Sequence, residues 1–270
     1  MWIFYNGNFS LREKTYFPFN LIDNIQRTVF QRFFVCQKKI FFAEASYFNL
    51  MATMRKSGLK IPLEFTEDYF TKIIEKLVEI NNYESGKAEV TVIKSINNQT
   101  INLIVNFFPQ ENGSFYRAKK IRADVFKELT VLSDFLKIQP IIHPENTVAE
   151  RYCIENELDD VIILNNNKKI CRTLLGNLYG LREDNIIAIE TKDGSYRQAI
   201  DFEFQKFLLQ HNSYKFTTET ISPFETQQME DIFIAVEGEG FYSIKNIRQK
   251  EFSTEKTQKL IADFQNFCFN

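Results

Sequence analysis

Between residues 66 and 108 the hydrophobic period of the chain changes, and that change constrains the fold more than any other feature. Thr66 is a good helix N-cap, with Glu67 and Asp68 in the turn that follows. Phe70, Ile73, Ile74, Leu77 and Ile80 then recur at helical spacing. Residues 88–94 and 100–108 instead read as strands, with Asn97-Asn98 between them as a turn. A helix followed by two strands in succession is the beginning of an antiparallel α+β domain.

The same reading extends along the chain. Residues 2–5 form a short strand before an Asn6-Gly7 turn, and 32–36 pairs with 39–42 across Gln37-Lys38. A helix over 43–57 stops at Gly58. Residues 111–120 read as a polar bridge, which divides the chain into an N-terminal subdomain, 1–110, and a C-terminal one, 111–270. The second half mixes short elements. Strands are expected over 121–126, 161–164, 177–181, 186–190, 232–235 and 241–244. Helices are expected from an Asn146 cap to Ile154, over 199–210, and from Ser253 onward.

Composition narrows the function classes. Lys and Arg number 33 against 35 Asp and Glu, a net charge of -2, so there is no global pull on nucleic acid or an anionic membrane. No apolar run approaches the roughly 20 residues of a membrane helix. Residues 1–14 carry no signal-peptide pattern, so a cytoplasmic protein is expected. Cys36, Cys153, Cys171 and Cys268 form no CxxC pair, and only His143 and His211 accompany them. Neither a zinc site nor a disulfide framework is expected. With 28 Phe and one Trp, aromatic bulk must fill much of the core, and the pairs Phe33-Phe34 and Phe107-Phe108 present it to both faces of a strand. The basic run Arg117, Lys119, Lys120 and Arg122 reads as a solvated strand face.

Three phrases in order carry a resemblance that spans nearly the whole chain. Residues 37–62 read QKKIFFAEASYFNLMATMRKSGLKIP, residues 159–181 read DDVIILNNNKKICRTLLGNLYGL, and residues 231–244 read DIFIAVEGEGFYSI. Together they resemble the fold-type IV pyridoxal-phosphate enzymes, the group of branched-chain and D-amino-acid aminotransferases and aminodeoxychorismate lyases. The resemblance implies an α+β fold of two subdomains with a cleft between them, and a homodimer. It also implies a lysine that forms a Schiff base with the cofactor, an arginine on its phosphate, and a carboxylate on its ring nitrogen.

Matched onto those phrases, the chain departs from the pattern. Asn49 stands where the phosphate arginine belongs, and Asn offers neither charge nor fork. Arg172 stands where the ring-nitrogen carboxylate belongs, and a cation there disfavours the protonation an electron sink requires. Ala235-Val236 replaces a phosphate-binding Thr-Asn. Gly194-Ser195-Tyr196-Arg197 keeps a GxxR turn whose helix-end amides suit an anion. An ungapped count puts the Schiff-base position at Gln139. Lys137, two residues earlier, is the catalytic candidate if Pro140 and Pro144 mark a two-residue insertion, and otherwise a surface lysine.

The resemblance therefore implies an aminotransferase class IV-like protein with a degenerate site, holding no cofactor and re-purposed to bind a small carboxylic or amino acid. One alternative is an active pyridoxal-phosphate aminotransferase or lyase using Lys137. Another is a homodimer that only binds partners. No nucleic acid, membrane or metal is expected in any of them.

Overall fold

The computed structural model describes residues 1–16, 28–94, 101–110, 113–131, 144–211 and 213–270. They form two compact units. The first comprises the described part of Met1–Gly113 together with Glu237–Glu239, and the second the rest of the described chain. Asn97-Asn98, Lys137, Gln139, Pro140 and His143 lie outside the described residues.

The first unit is one antiparallel sheet covered by two helices. Its strands are β1 (Trp2–Tyr5), β2 (Asn8–Leu11), β3 (Thr28–Cys36), β4 (Lys39–Phe41), β5 (Gly86–Lys94) and β6 (Ile101–Pro109), in the order β2-β1-β6-β5-β3-β4. Both tight turns read from the sequence are present. Asn6 and Gly7, and Gln37 and Lys38, all take positive φ, which matches the twist of a two-residue hairpin. Helix α1 (Ala43–Lys56) stops before Gly58, at φ 66. Helix α2 (Glu67–Asn81) is capped by Thr66, whose Oγ1 accepts from the Tyr69 amide at 3.1 Å. The stripe Phe70, Ile73, Ile74 and Leu77 is buried with Phe33, Val90, Val105 and Phe107 in one core. Phe34, on the opposite strand face, stacks on Phe42 at 6.3 Å. Gly238, at φ 74, lies so close to Arg32 that an added Cβ would sit 2.7 Å from the arginine Cβ. On either side of it, Glu237 accepts from Gln31 at 3.0 Å and Glu239 pairs with Lys87.

The second unit is a mixed sheet. Its main strands are β7 (Tyr116–Val131), β8 (Asp160–Asn165), β9 (Ile170–Thr173), β10 (Asn177–Arg182), β11 (Asn185–Ile189), β12 (Lys215–Glu219), β13 (Asp231–Val236) and β14 (Gly240–Ile247). The order is β12-β11-β10-β13-β14-β7-β8-β9, with parallel pairing at β14–β7, β7–β8 and β11–β12. Helices α3 (Pro144–Glu155), α4 (Ala199–Gln210) and α5 (Glu255–Phe269) complete it. One core cluster is aliphatic, built from residues such as Val125, Leu164, Ile187, Ile232 and Ile247. Another is aromatic: Phe204 from α4 meets Tyr179, Phe233 and Phe241 from the strands, and Phe264 from α5 packs on Phe204 and Phe241. This is where much of the Phe-rich composition goes.

Two expectations are corrected. The polar bridge over 111–120 is already strand from Tyr116 onward. Arg117 is buried there, while Lys119 faces solvent and pairs with Asp159 at 2.7 Å. Charged side chains on the outward positions masked the strand's period. Asn146 does not cap α3 either, because it lies within the helix, which is described from Pro144 onward. Its side chain is free for another use.

No described helix is long and apolar enough to cross a membrane. Among the described residues no group of three or more His, Cys, Asp or Glu is placed to hold a metal. All four cysteines are free.

Candidate functional site

Most of the positions singled out in the second unit converge. Strand β9 carries Arg172 and turns through Gly176 into β10, which opens with Asn177. Asn177 pairs across the sheet with Ala235 of β13. Gly176 is required at that crossing, since an added Cβ would lie 2.0 Å from the Ala235 carbonyl oxygen. The GxxR turn leads into α4 and is pinned to the same strand. Asn177 Nδ2 donates to the Tyr196 carbonyl at 2.7 Å, and the Tyr196 amide donates to Asn177 Oδ1 at 2.9 Å. Gly194 takes φ 110, which only glycine adopts freely, and this sets the turn.

Arg172 is fully buried and meets no carboxylate in an ion pair among the described residues. Its Nη2 donates to Asn146 Oδ1 and its Nη1 to the Thr173 carbonyl, both at 2.9 Å. The guanidinium carbon lies 4.1 Å from the centre of the Tyr196 ring. Nε is left without a partner. Burial lowers the pKa of the group from its ordinary value, yet an arginine stays charged at neutral pH. Asn146, read as a helix cap, is thus a ligand of the arginine. Beside it on β9, Cys171 is fully buried, and burial pushes its thiol up to about 12.

The costs and gains of this arrangement nearly cancel. Burying an unpaired charge costs several kcal/mol. Two hydrogen bonds from a cation return roughly 1.5–3 kcal/mol each, and a desolvated cation on an aromatic face about 2. Arg172→Met is therefore expected to change the unfolding free energy by no more than about 1 kcal/mol in urea denaturation. A loss above about 3 kcal/mol would make the guanidinium a structural necessity rather than a group kept for binding.

A second buried cluster lies beneath the turn. Asp201, in the first turn of α4, accepts from Tyr179 Oη at 2.8 Å and from Asn177 Nδ2. With its amide nitrogen turned inward, Gln198 reaches Asp201 at 3.2 Å and the Ala235 carbonyl at 3.0 Å. Desolvation outweighs these donors and raises the Asp201 carboxyl to about 7. Asp160 on β8 is likewise buried and raised to about 6, although it accepts from the amides of Val161 and Leu174. The sequence offered no signal for this cluster, since Asn177 and Asp201 are 24 positions apart and each alone is an ordinary polar residue.

Ala235 and Val236 are buried aliphatic side chains at the end of β13 and supply no side-chain donor. Asn49 lies half-buried on α1 of the first unit.

Comparison with known proteins places this geometry. The family model described as amino-transferase class IV matches residues 28–247. The chain belongs to the class IV aminotransferase family. Its fold is similar to that of a branched-chain amino acid aminotransferase from Thermobaculum terrenum in its pyridoxal-phosphate form. That match has 14% identity and a TM-score of 0.85, and covers 99% of this chain and 94% of that one. A branched-chain aminotransferase from Thermoproteus uzoniensis with norvaline matches at 15% identity and TM-score 0.82, covering 99% and 94%. A Legionella pneumophila protein assigned as a 4-amino-4-deoxychorismate lyase matches at 15% identity and TM-score 0.82, covering 94% and 96%. No curated protein sequence matches the chain. The fold-type IV, α+β architecture implied by the sequence phrases is thus the fold of this class IV family member.

Proposed function

We propose that this protein is a class IV aminotransferase relative whose cofactor site has been rebuilt, so that it does not run pyridoxal-phosphate chemistry and instead binds a small carboxylic acid. One observation carries the reading: a fixed, buried cation, Arg172, occupies the position at which the family resemblance implies a carboxylate. Bound pyridoxal phosphate would supply an electron sink, which depends on a protonated ring nitrogen. A guanidinium held by Asn146 and stacked on Tyr196 opposes that proton, and its pinning leaves it little freedom to withdraw. The residues present therefore do not fit the cofactor. Ala235, Val236 and Asn49 support the same reading, since they offer a phosphate no charge. The unpartnered Nε of Arg172 is the donor through which a carboxylate would be recognised. A homodimer and a reducing, cytoplasmic setting belong to this reading, and the four free cysteines suit the latter.

The test is spectroscopic. Protein mixed with pyridoxal phosphate is expected to develop no yellow adduct that depends on Lys137. Benzoate in equilibrium dialysis is expected to bind the native chain, and Arg172→Met to lose about tenfold or more in affinity. A yellow adduct abolished by Lys137→Ala would overturn the proposal in favour of an active cofactor enzyme. Benzoate binding unchanged by Arg172→Met would overturn the assignment of the arginine.

A further inference from the structure

We propose that the second unit holds a separate ligand site, a cavity that takes an apolar molecule bearing one anionic headgroup, a carboxylate or a phosphate. The cavity measures about 880 Å³, within the range of small-molecule sites. Its lining includes none of the residues of the Arg172 site: Arg172, Asn146, Tyr196, Asp201 and Ala235 are all absent from it.

Two features of the lining are unlike the rest of the chain. The first is charge. Lys127 of β7, Lys168 and Lys169 of the β8–β9 turn, and Arg248 and Lys250 beyond β14 all line it, and the lining itself contains no Asp or Glu, the nearby Glu225 being turned to Ser222. In a protein of net charge -2 this is a local segregation of cations. Arg248 is answered by Asp124 at 2.6 Å. Among the described residues, Lys127, Lys168 and Lys169 enter no ion pair. Like charges converging on a concave surface repel one another and concentrate positive potential where an anion would sit.

The second feature is apolar. Val125, Leu164 and Ile247 of the aliphatic core form part of the wall. Phe224 contributes a ring that is 82% exposed. A bare inorganic anion would use the lysines and leave these groups in water. An uncharged apolar ligand would leave the lysines unanswered. An amphipathic acid satisfies both, with its chain or ring along the aliphatic wall and its headgroup among the ammonium groups.

Titration calorimetry below the micellar range would test this with four probes: dodecanoate, dodecyl phosphate, dodecanol and inorganic phosphate. At least one of the two amphipathic anions is expected to bind, and the tighter of them identifies the headgroup. Dodecanol should be at least tenfold weaker and inorganic phosphate weaker still. Lys127→Glu combined with Lys169→Glu should cost about tenfold or more in affinity while leaving the thermal midpoint unchanged. Phe224→Ser should weaken binding without altering the salt dependence. Should the double reversal perturb folding, Lys127→Gln alone is the milder variant and should still weaken the anion relative to dodecanol. The proposal fails if neither amphipath binds, if dodecanol or inorganic phosphate binds as tightly as they do, or if the lysine variants leave affinity unchanged.

Discussion

Phe204→Ala should lower the unfolding free energy by roughly 3–5 kcal/mol. The ring is fully buried and meets Phe241 at 4.9 Å, Phe264 at 5.1 Å, Tyr179 at 5.4 Å and Phe233 at 5.9 Å. Those partners come from three different strands and from α5. Because they are fixed on separate backbones, they cannot close together over the void, and the cavity left behind adds to the lost transfer free energy. Phe204→Leu refills most of the volume and should lose roughly 1–2 kcal/mol. Urea denaturation of the two variants measures both values. Equal losses would mean that ring geometry rather than volume holds the cluster.

Stability should fall as pH rises from about 4 to about 7, and Asp201→Asn should flatten that slope. The folded carboxyl retains its proton up to about pH 7, because burial disfavours the charge. In the unfolded chain the same group releases its proton near 3.8. Between these values the folded state binds the extra proton, so raising the pH favours unfolding. The contribution is complete below about pH 4 and gone above about pH 7. Asp160, raised to about 6, adds a slope of the same sign, so the native curve is flattened by the variant rather than made level. The check is the denaturation midpoint measured at several pH values for native and variant chains. Identical slopes would show that Asp201 is ionised in the folded protein across the range.

Legibility in the sequence followed how local the controlling physics was. Helix α4 spans Ala199–Gln210, the bounds read from its amphipathic pattern, and Thr66 caps α2 through its own hydroxyl as its identity suggested. The Asn6-Gly7 and Gln37-Lys38 turns announced themselves because their backbone conformations demand particular residues. Strand β9 did not, since four residues containing an arginine give no period to read. Strand β12 did not either. It is a mostly polar segment held at the sheet edge by parallel pairing to β11, a relation between positions about 30 apart. The family phrases marked Arg172 as anomalous, but nothing in them paired it with Asn146 or Tyr196. Those contacts depend on where the β9–β10 turn and α3 end up in space, and neighbouring residues carry no trace of that.

Cys171 makes β9 self-reporting. A thiol held protonated and out of solvent is almost inert toward alkylating reagents. Iodoacetamide would therefore modify it only in the brief intervals when the strand detaches from β8. The rate of that labelling is a clock for opening of the strand that carries Arg172, and an acid docked on the guanidinium would slow the clock in proportion to how tightly it holds the strand shut.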